Sequence, residues 1–316
     1  MPGEPERALL CITPAPAIDR TAHVAHLAHG EVLRPLELVA LPGGKGVNAA
    51  RAAVRLGGRV ITSGIAGGHA GRWIVEALAA EGLSPAWAMA AAEARTTYVT
   101  VDSRGDAVIV YERPAMATQA EWEAFLRLLE AELLPRSGRA IVAGSIPAGI
   151  DDAGYGAIVE VARRAGCPLL VDASGPGLLA ALQAGPDVVK IGRIEAVECG
   201  LVARQATAAQ AVAALVDHGA RLAVVTDGAR EVAAADATRL WLVSVPPVDV
   251  VNAVGSGDCF NAAFSLALMA GATIETALAR GVAAGAANAR ALGAGMLDAD
   301  AAHELERQVS VRREGR

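Results

Sequence analysis

Two short runs carry residue types that could do chemistry. The first is Leu41-Pro42-Gly43-Gly44-Lys45-Gly46-Val47-Asn48-Ala49-Ala50-Arg51. Glycines that lead into a helix let backbone and side chains approach a ligand closely, and the helix N-terminus favours anions. The lysine follows two adjacent glycines and precedes a third, so this is not the G-x-x-x-x-G-K-[ST] phosphate loop. The second run, about 210 residues later, is Asp249-Val250-Val251-Asn252-Ala253-Val254-Gly255-Ser256-Gly257-Asp258, and it opens a long apolar helix. Its glycines can turn the amides of Val254, Gly255, Ser256 and Gly257 toward one point, where the helix dipole adds positive potential. Asp258 faces the same point. Amides that stabilise a moving phosphoryl group, beside a carboxylate that takes a hydroxyl proton, suit phosphoryl transfer. The plainer readings are an ordinary strand–helix turn and a first-turn aspartate favoured by the dipole. The G-x-G also lacks the third glycine of a dinucleotide fingerprint.

The elements that must position these runs read as an α/β alternation. Strands are expected at 139–143, 168–172, 188–191 and 222–226, with helices at 154–165, 178–183 and 207–218. The apolar runs are continuous, as in parallel strands covered on both faces, and the alternation implies right-handed βαβ units in a doubly wound sheet. Two successive helices, 258–270 and 273–289, follow, split by Gly271. Segments 17–41 and 95–111 break the alternation. The second predicts a hairpin, 95–101 and 107–111, turning at Ser103-Arg104-Gly105-Asp106. These pieces could form a small sheet outside the main one. No linker or repeat divides the chain, so residues 1–316 read as one domain carrying a lid at about 17–41 and 95–111.

Bulk properties narrow the classes. A composition of 53% hydrophobic and 20% charged residues is that of a folded globular protein. The longest uncharged stretch, 259–274, contains Asn261, Ser265 and Thr273 and is too short and polar to span a membrane. Residues 1–7 have no basic region leading into an apolar signal core, which points to the cytoplasm. The net charge of −6 argues against nucleic-acid binding. Cys11, Cys167, Cys199 and Cys259 lack metal or redox spacing and read as small hydrophobes. His23, His26 and His29 alternate faces on a strand and read as surface residues.

The two runs, in this order, resemble the paired signatures of the PfkB branch of ribokinase-like carbohydrate kinases, over roughly residues 8–297. Other matches follow in sequence: Thr13-Pro14-Ala15-Pro16-Ala17-Ile18-Asp19, Ala143-Gly144-Ser145-Ile146-Pro147-Ala148-Gly149, Val171-Asp172-Ala173-Ser174, Thr226-Asp227-Gly228 and Ala283-Ala284-Gly285-Ala286-Ala287-Asn288. Lys45 within its loop looks most like the 1-phosphofructokinase and tagatose-6-phosphate kinase group. The resemblance implies a ribokinase-like, mostly parallel sheet flanked by helices with a small β-sheet lid. It implies phosphoryl transfer from ATP, with Mg2+, to a phosphorylated ketohexose, fructose 1-phosphate first. Asp258 would be the base and the Val254–Gly257 amides the anion hole. Asp19, Gly43, Gly44 and Asn48 would position the sugar, and Lys45, Arg95 and Ser145 would hold its phosphate, where arginine offers a planar fork. Lys190, Thr226, Gly228 and Asn288 would meet the nucleotide, and Glu195 would support magnesium. Lid strands of such kinases pair between subunits, implying a homodimer. Two departures stand out. The usual K-P-N-x-x-E is Lys190-Ile191-Gly192-Arg193-Ile194-Glu195, and the usual R-x-N-x-K is Arg95-Thr96-Thr97-Tyr98-Val99. They leave open a kinase of an unphosphorylated sugar or nucleoside, and a non-catalytic sugar-phosphate sensor.

Overall fold

The computed structural model describes residues 7–316; residues 1–6, read above as the start of the domain and as lacking a signal core, lie outside the described residues. Strand Ala8–Thr13 is an interior strand of the main sheet, parallel to Val60–Gly67 on one side and to Ser137–Ala143 on the other. Leu169–Asp172, Val188–Gly192 and Leu222–Thr226 continue the sheet in parallel. Val232–Ala235, Arg239–Val243 and Val311–Gly315 then extend one edge in antiparallel fashion. The sequence reading had not assigned these three strands. Nor had it assigned the helices Gly68–Ala80, Gln119–Leu128 and Arg193–Glu198.

Continuous apolar strands need cover on both faces, and alternate residues divide between two cores. Leu9, Cys11, Ile141 and Leu170 join the face covered by helices Lys45–Arg55, Ser256–Met269 and Ile274–Ala289. Leu10, Ile12, Val142 and Val171 join the opposite face, under Gln119–Leu128, Gly154–Arg164, Gly175–Gln183 and Ala208–Asp217. The period-2 splitting of a strand with both faces buried accounts for this division. Among the described residues, no helix is long and apolar enough to cross a membrane. Cys11, Cys167 and Cys259 are buried free thiols, and Cys199 is half-buried.

A separate four-stranded sheet has the order Glu37–Gly43, Ala17–Val24, Arg95–Asp102, Ala107–Tyr111. The expected hairpin is present: the Asp102 carboxylate accepts from the amides of Arg104 (2.8 Å) and Asp106 (3.2 Å), and Gly105 supplies the positive φ of 88°. Strand Ala17–Val24 starts four residues after Ala8–Thr13 ends, so this sheet sits over the C-terminal ends of the parallel strands. Ligands of open α/β sheets bind at those ends.

Helix Ser256–Met269 is seated by its neighbour Ile274–Ala289. Phe260 and Phe264 stack with centroids 5.5 Å apart, and Gly281 lets the neighbouring helix close on Phe260. An added Cβ at Gly281 would lie 2.7 Å from the Phe260 ring. Glycine inside a helix normally costs about 1 kcal/mol relative to alanine. Here the sign should invert: Gly281→Ala is expected to destabilise by about 1–3 kcal/mol through overpacking, read as a lowered urea midpoint.

Candidate active site

Asp172 ends a central strand, is 1% exposed and carries two lysines. Lys45 Nζ donates to one carboxylate oxygen at 2.7 Å and Lys190 Nζ to the other at 3.1 Å, which also accepts from Asn261 Nδ2 at 2.8 Å. Burial opposes its charge, but Lys190 and Lys45 together hold Asp172 below the usual carboxylate range. Lys45 also reaches Glu195 at 3.2 Å. Burial works against the lysine's charge, yet the two carboxylates leave it more basic than usual. The helix that begins at Lys45 is pressed onto the end of strand Ala8–Thr13, since a Cβ at Gly46 would fall 2.5 Å from the Ile12 carbonyl oxygen. Gly44 enters that helix with φ 117°, a conformation suited to glycine.

Asp258 lies in the first turn of helix Ser256–Met269, 6% exposed. One oxygen accepts from Asn48 Nδ2 at 2.9 Å. Asn48 is held in turn by Arg51, whose Nη1 donates to Asn48 Oδ1 at 3.2 Å while its Nε and Nη2 grip Glu81 at 2.6 and 3.0 Å. Burial, reinforced by the neighbouring Asp172 charge, pushes the Asp258 carboxyl up to about 7 against the pull of Asn48, Lys190 and Lys45. A carboxylate tuned near neutrality and fixed in direction is suited to accept a proton.

The turn before Asp258 is braced from behind. Asn288, 0% exposed, donates to the Val254 carbonyl at 2.9 Å and accepts from the Gly295 amide at 3.0 Å. Gly255 takes φ 85°, and a Cβ there would strike Ala294 at 2.6 Å. Of the four amides expected to form an anion hole, Val254 N–H is taken by Asn252 Oδ1 at 2.9 Å and Ser256 N–H by the Ala253 carbonyl at 3.2 Å. Among the described residues, the Gly255 and Gly257 amides have no acceptor. The Lys190 ammonium lies against the same turn, 2.4 Å from where a Gly257 Cβ would stand.

A second cluster sits on the small sheet. Asp19 covers Gly43 so closely that a Cβ there would overlap its carboxylate at 2.0 Å. Burial raises the Asp19 carboxyl, while the Thr97 hydroxyl, Arg51 and Arg95 favour its charge. Arg95 is half-buried; among the described residues its hydrogen bonds are long, 3.4 Å each, to the Glu112 and Ala15 carbonyls, and its buried Nε has no partner. Half-buried Ser145 follows Gly144, whose carbonyl accepts from the Tyr155 hydroxyl. On the opposite flank Glu195 Oε2 accepts from the Gly192 amide at 2.7 Å, Thr226 pairs with Gly192 in the sheet, and exposed Gly228 follows with φ 58°.

With this geometry in place, the comparisons decide the family. A family model described as pfkB family carbohydrate kinase matches residues 9–300. The chain belongs to the pfkB family. Escherichia coli phosphofructokinase-2 in complex with fructose-6-phosphate is similar at 26% identity and TM-score 0.85, over 96% of this chain and 98% of that one. A Thermotoga maritima protein given as a possible 1-phosphofructokinase matches at 21% identity and TM-score 0.86, over 97% and 99%. Arabidopsis thaliana ribokinase complexed with ribose and ATP matches at 21% identity and TM-score 0.74, over 95% and 99%. The last two likenesses speak for the ribokinase-like fold alone.

In this pfkB carbohydrate kinase three of the expected site residues have protein partners of their own. Asn288, expected at the nucleotide, is fully buried and braces the glycine turn. The Val254 amide is closed by Asn252, which leaves Gly255 and Gly257 as the available donors. The Lys45 ammonium is held between Asp172 and Glu195, on the Asp258 side of the site, while Arg95 keeps company with Asp19. Sequence alone does not assign Arg51, Glu81, Tyr155 and Asn261, nor the central place of Asp172. Only Arg51 had left a signal, standing three positions after Asn48 on one helix face.

The Asp258 carboxyl must be ionised to take a proton, and its raised value places the transition near pH 7. For the carbohydrate kinase reaction, kcat/KM should fall about tenfold per unit below that pH. Asp172 is a like charge that raises Asp258, so Asp172→Asn should move this acid limb to lower pH, with folding checked by circular dichroism. An unmoved limb would detach Asp258 from the profile.

Proposed function

We propose that this kinase transfers the γ-phosphoryl group of ATP to a hydroxyl of a phosphorylated ketohexose. The observation that carries the reading is Asp258, buried, raised to about 7, and aimed by Asn48 beside the open amides of Gly255 and Gly257. The hydroxyl oxygen attacks the γ-phosphorus, its bond to the bridging oxygen of ADP breaks, and the hydroxyl proton passes to Asp258. The two amides and Lys190 face the charge that builds on the phosphoryl oxygens. Lys45 is already paired with Asp172 and Glu195, so Arg95 is the stronger candidate for the sugar's own phosphate.

ATP with Mg2+ fits the donor set. Among the described residues, no three His, Cys, Asp or Glu side chains gather to hold a metal unaided, so the ion's ligands would come largely from phosphate oxygens, with Glu195 in support. Magnesium, when bound, would neutralise phosphate charge during transfer. Gly192, in place of the family asparagine, has φ −78°, which any residue adopts, so backbone geometry does not require the glycine.

Asp19 and Gly43 are assigned to the sugar hydroxyls, and Arg95 with Ser145 to the substrate phosphate. The unpartnered Arg95 Nε supports this, because a buried donor without an acceptor costs free energy that a phosphate oxygen would relieve. Fructose 1-phosphate, accepting at O6, is the first choice, on the likeness of the Lys45 loop. Tagatose 6-phosphate and fructose 6-phosphate, accepting at O1, likewise present phosphate and hydroxyl at opposite ends. Strand Ala107–Tyr111 exposes Val108, Ile109, Val110 and Tyr111, which supports pairing of two copies through the lid.

Two experiments test the reading. Asp258→Asn keeps size but cannot take the proton, so kcat should fall about 10²–10⁴-fold with KM little changed; a variant retaining a third of wild-type kcat would remove Asp258 as the base. In a coupled assay over a sugar panel, loss of the substrate phosphate should lower kcat/KM by at least about 10²-fold. Arg95→Ala should impair phosphorylated substrates far more than free fructose. If wild-type enzyme turns over fructose or ribose as efficiently as any sugar phosphate, the unphosphorylated-sugar kinase takes its place, a reading favoured by Thr97 and Val99 in the lid.

A further inference from the structure

At the opposite edge of the main sheet, where the parallel strands begin, a second concentration of charge surrounds a cavity of about 740 Å³. Arg7 and Arg59 stand immediately before strands Ala8–Thr13 and Val60–Gly67, and Arg139 lies near the start of Ser137–Ala143. Arg280 and His303 line the same cavity. An adjoining cleft of about 800 Å³ shares Arg7 and Arg59 and adds Arg136. The acid in the lining, Glu306, is already paired with Arg280 at 3.2 Å. Asp187, the carboxylate acting on Arg139, is held by Arg221 at 3.2 Å and by the Leu169 amide at 3.0 Å.

A solvated basic face would keep its donors in water. Here Arg139 Nε is buried and, among the described residues, has no hydrogen-bond partner. Burial also holds this guanidinium below its ordinary pKa. A buried donor lacking an acceptor is costly, and a bound polyanion would relieve it. The remaining wall is apolar, with Leu56, Leu266 and Met269, and the volume is that of small-molecule sites.

We propose that this cavity binds a phosphate-bearing small molecule, with Arg7, Arg59 and Arg139 on the phosphate and Leu266 and Met269 against its body. Its position makes the ligand an effector of the distant centre. Leu266 and Met269 close the helix that Ser256, Gly257 and Asp258 open, about 20 Å away along the axis. Leu56 caps the helix that Lys45 opens. An occupant therefore bears on the far ends of both helices that carry the candidate active site.

The test titrates inorganic pyrophosphate and, separately, ADP into the full chain at low salt, by calorimetry and by hydrogen exchange. Pyrophosphate should slow exchange over residues 56–59 and 137–140, and Arg139→Gln should weaken its binding about tenfold or more. The exposed Arg7→Glu reversal should weaken it likewise, and it decides the matter alone if Arg139→Gln fails to fold. Both sources of the ligand uphold the site: protection of these segments at lower ADP than pyrophosphate assigns an organic phosphate, and equal or stronger protection by pyrophosphate assigns the free anion. Binding unchanged in both variants, or protection confined to residues 253–258, overturns the proposal.

Discussion

The buried carboxylate of Asp172 is the interaction on which the rest of the site depends. Its two oxygens receive ammonium groups from Lys45 and Lys190 and an amide from Asn261. Lys45 starts one motif helix, Asn261 lies in the other, and Lys190 belongs to the adjacent strand. One side chain thus ties both glycine-rich runs to the sheet. Removing one partner of a buried ion pair typically costs about 3–5 kcal/mol because a charge is left uncompensated. Here Lys190 would be stranded and Lys45 left with Glu195 alone, next to the helix N-terminus where the dipole is already positive.

The same carboxylate tunes its neighbour. Asp258 would be a stronger acid without the negative charge of Asp172, and a stronger base without the two lysines. Balance between these opposed influences leaves it close to neutrality. Orientation comes from elsewhere, through Asn48, Arg51 and Glu81. Every link of that chain is a hydrogen bond with both partners engaged, the condition under which a buried polar network rigidifies a site.

Local signals made much of this legible. The glycines at 43, 44, 46, 255 and 257 mark close approaches or positive φ, and their order pointed to a pfkB carbohydrate kinase. The strands 188–191 and 222–226 and the two successive helices appear within a residue or two of where their apolar runs placed them. What remained hidden depends on distance along the chain. Nothing near residue 45 says that its ammonium turns to Asp172, and nothing near 288 says that an asparagine will be sealed behind a turn. The antiparallel edge escaped because alanine-rich Val232–Ala235 has neither β-branched character nor alternation beyond its first residue. Glu81 follows a helix end and looks like any solvent-facing acid until Arg51 is brought to it.

The order of strands in the sheet has a consequence for how the enzyme comes into being. Ala8–Thr13 is made well before Ser137–Ala143, one of its flanking partners. The Lys45–Asp172 contact spans 127 residues and the Asn48–Asp258 contact 210. Such long closures make parallel sheets slow to fold. On a ribosome, the first motif would emerge long before the residues that complete it. Until those residues are made, the nascent chain would carry strand Ala8–Thr13 half-flanked and its catalytic centre unbuilt. Competence would arrive late, when helix Ser256–Met269 docks.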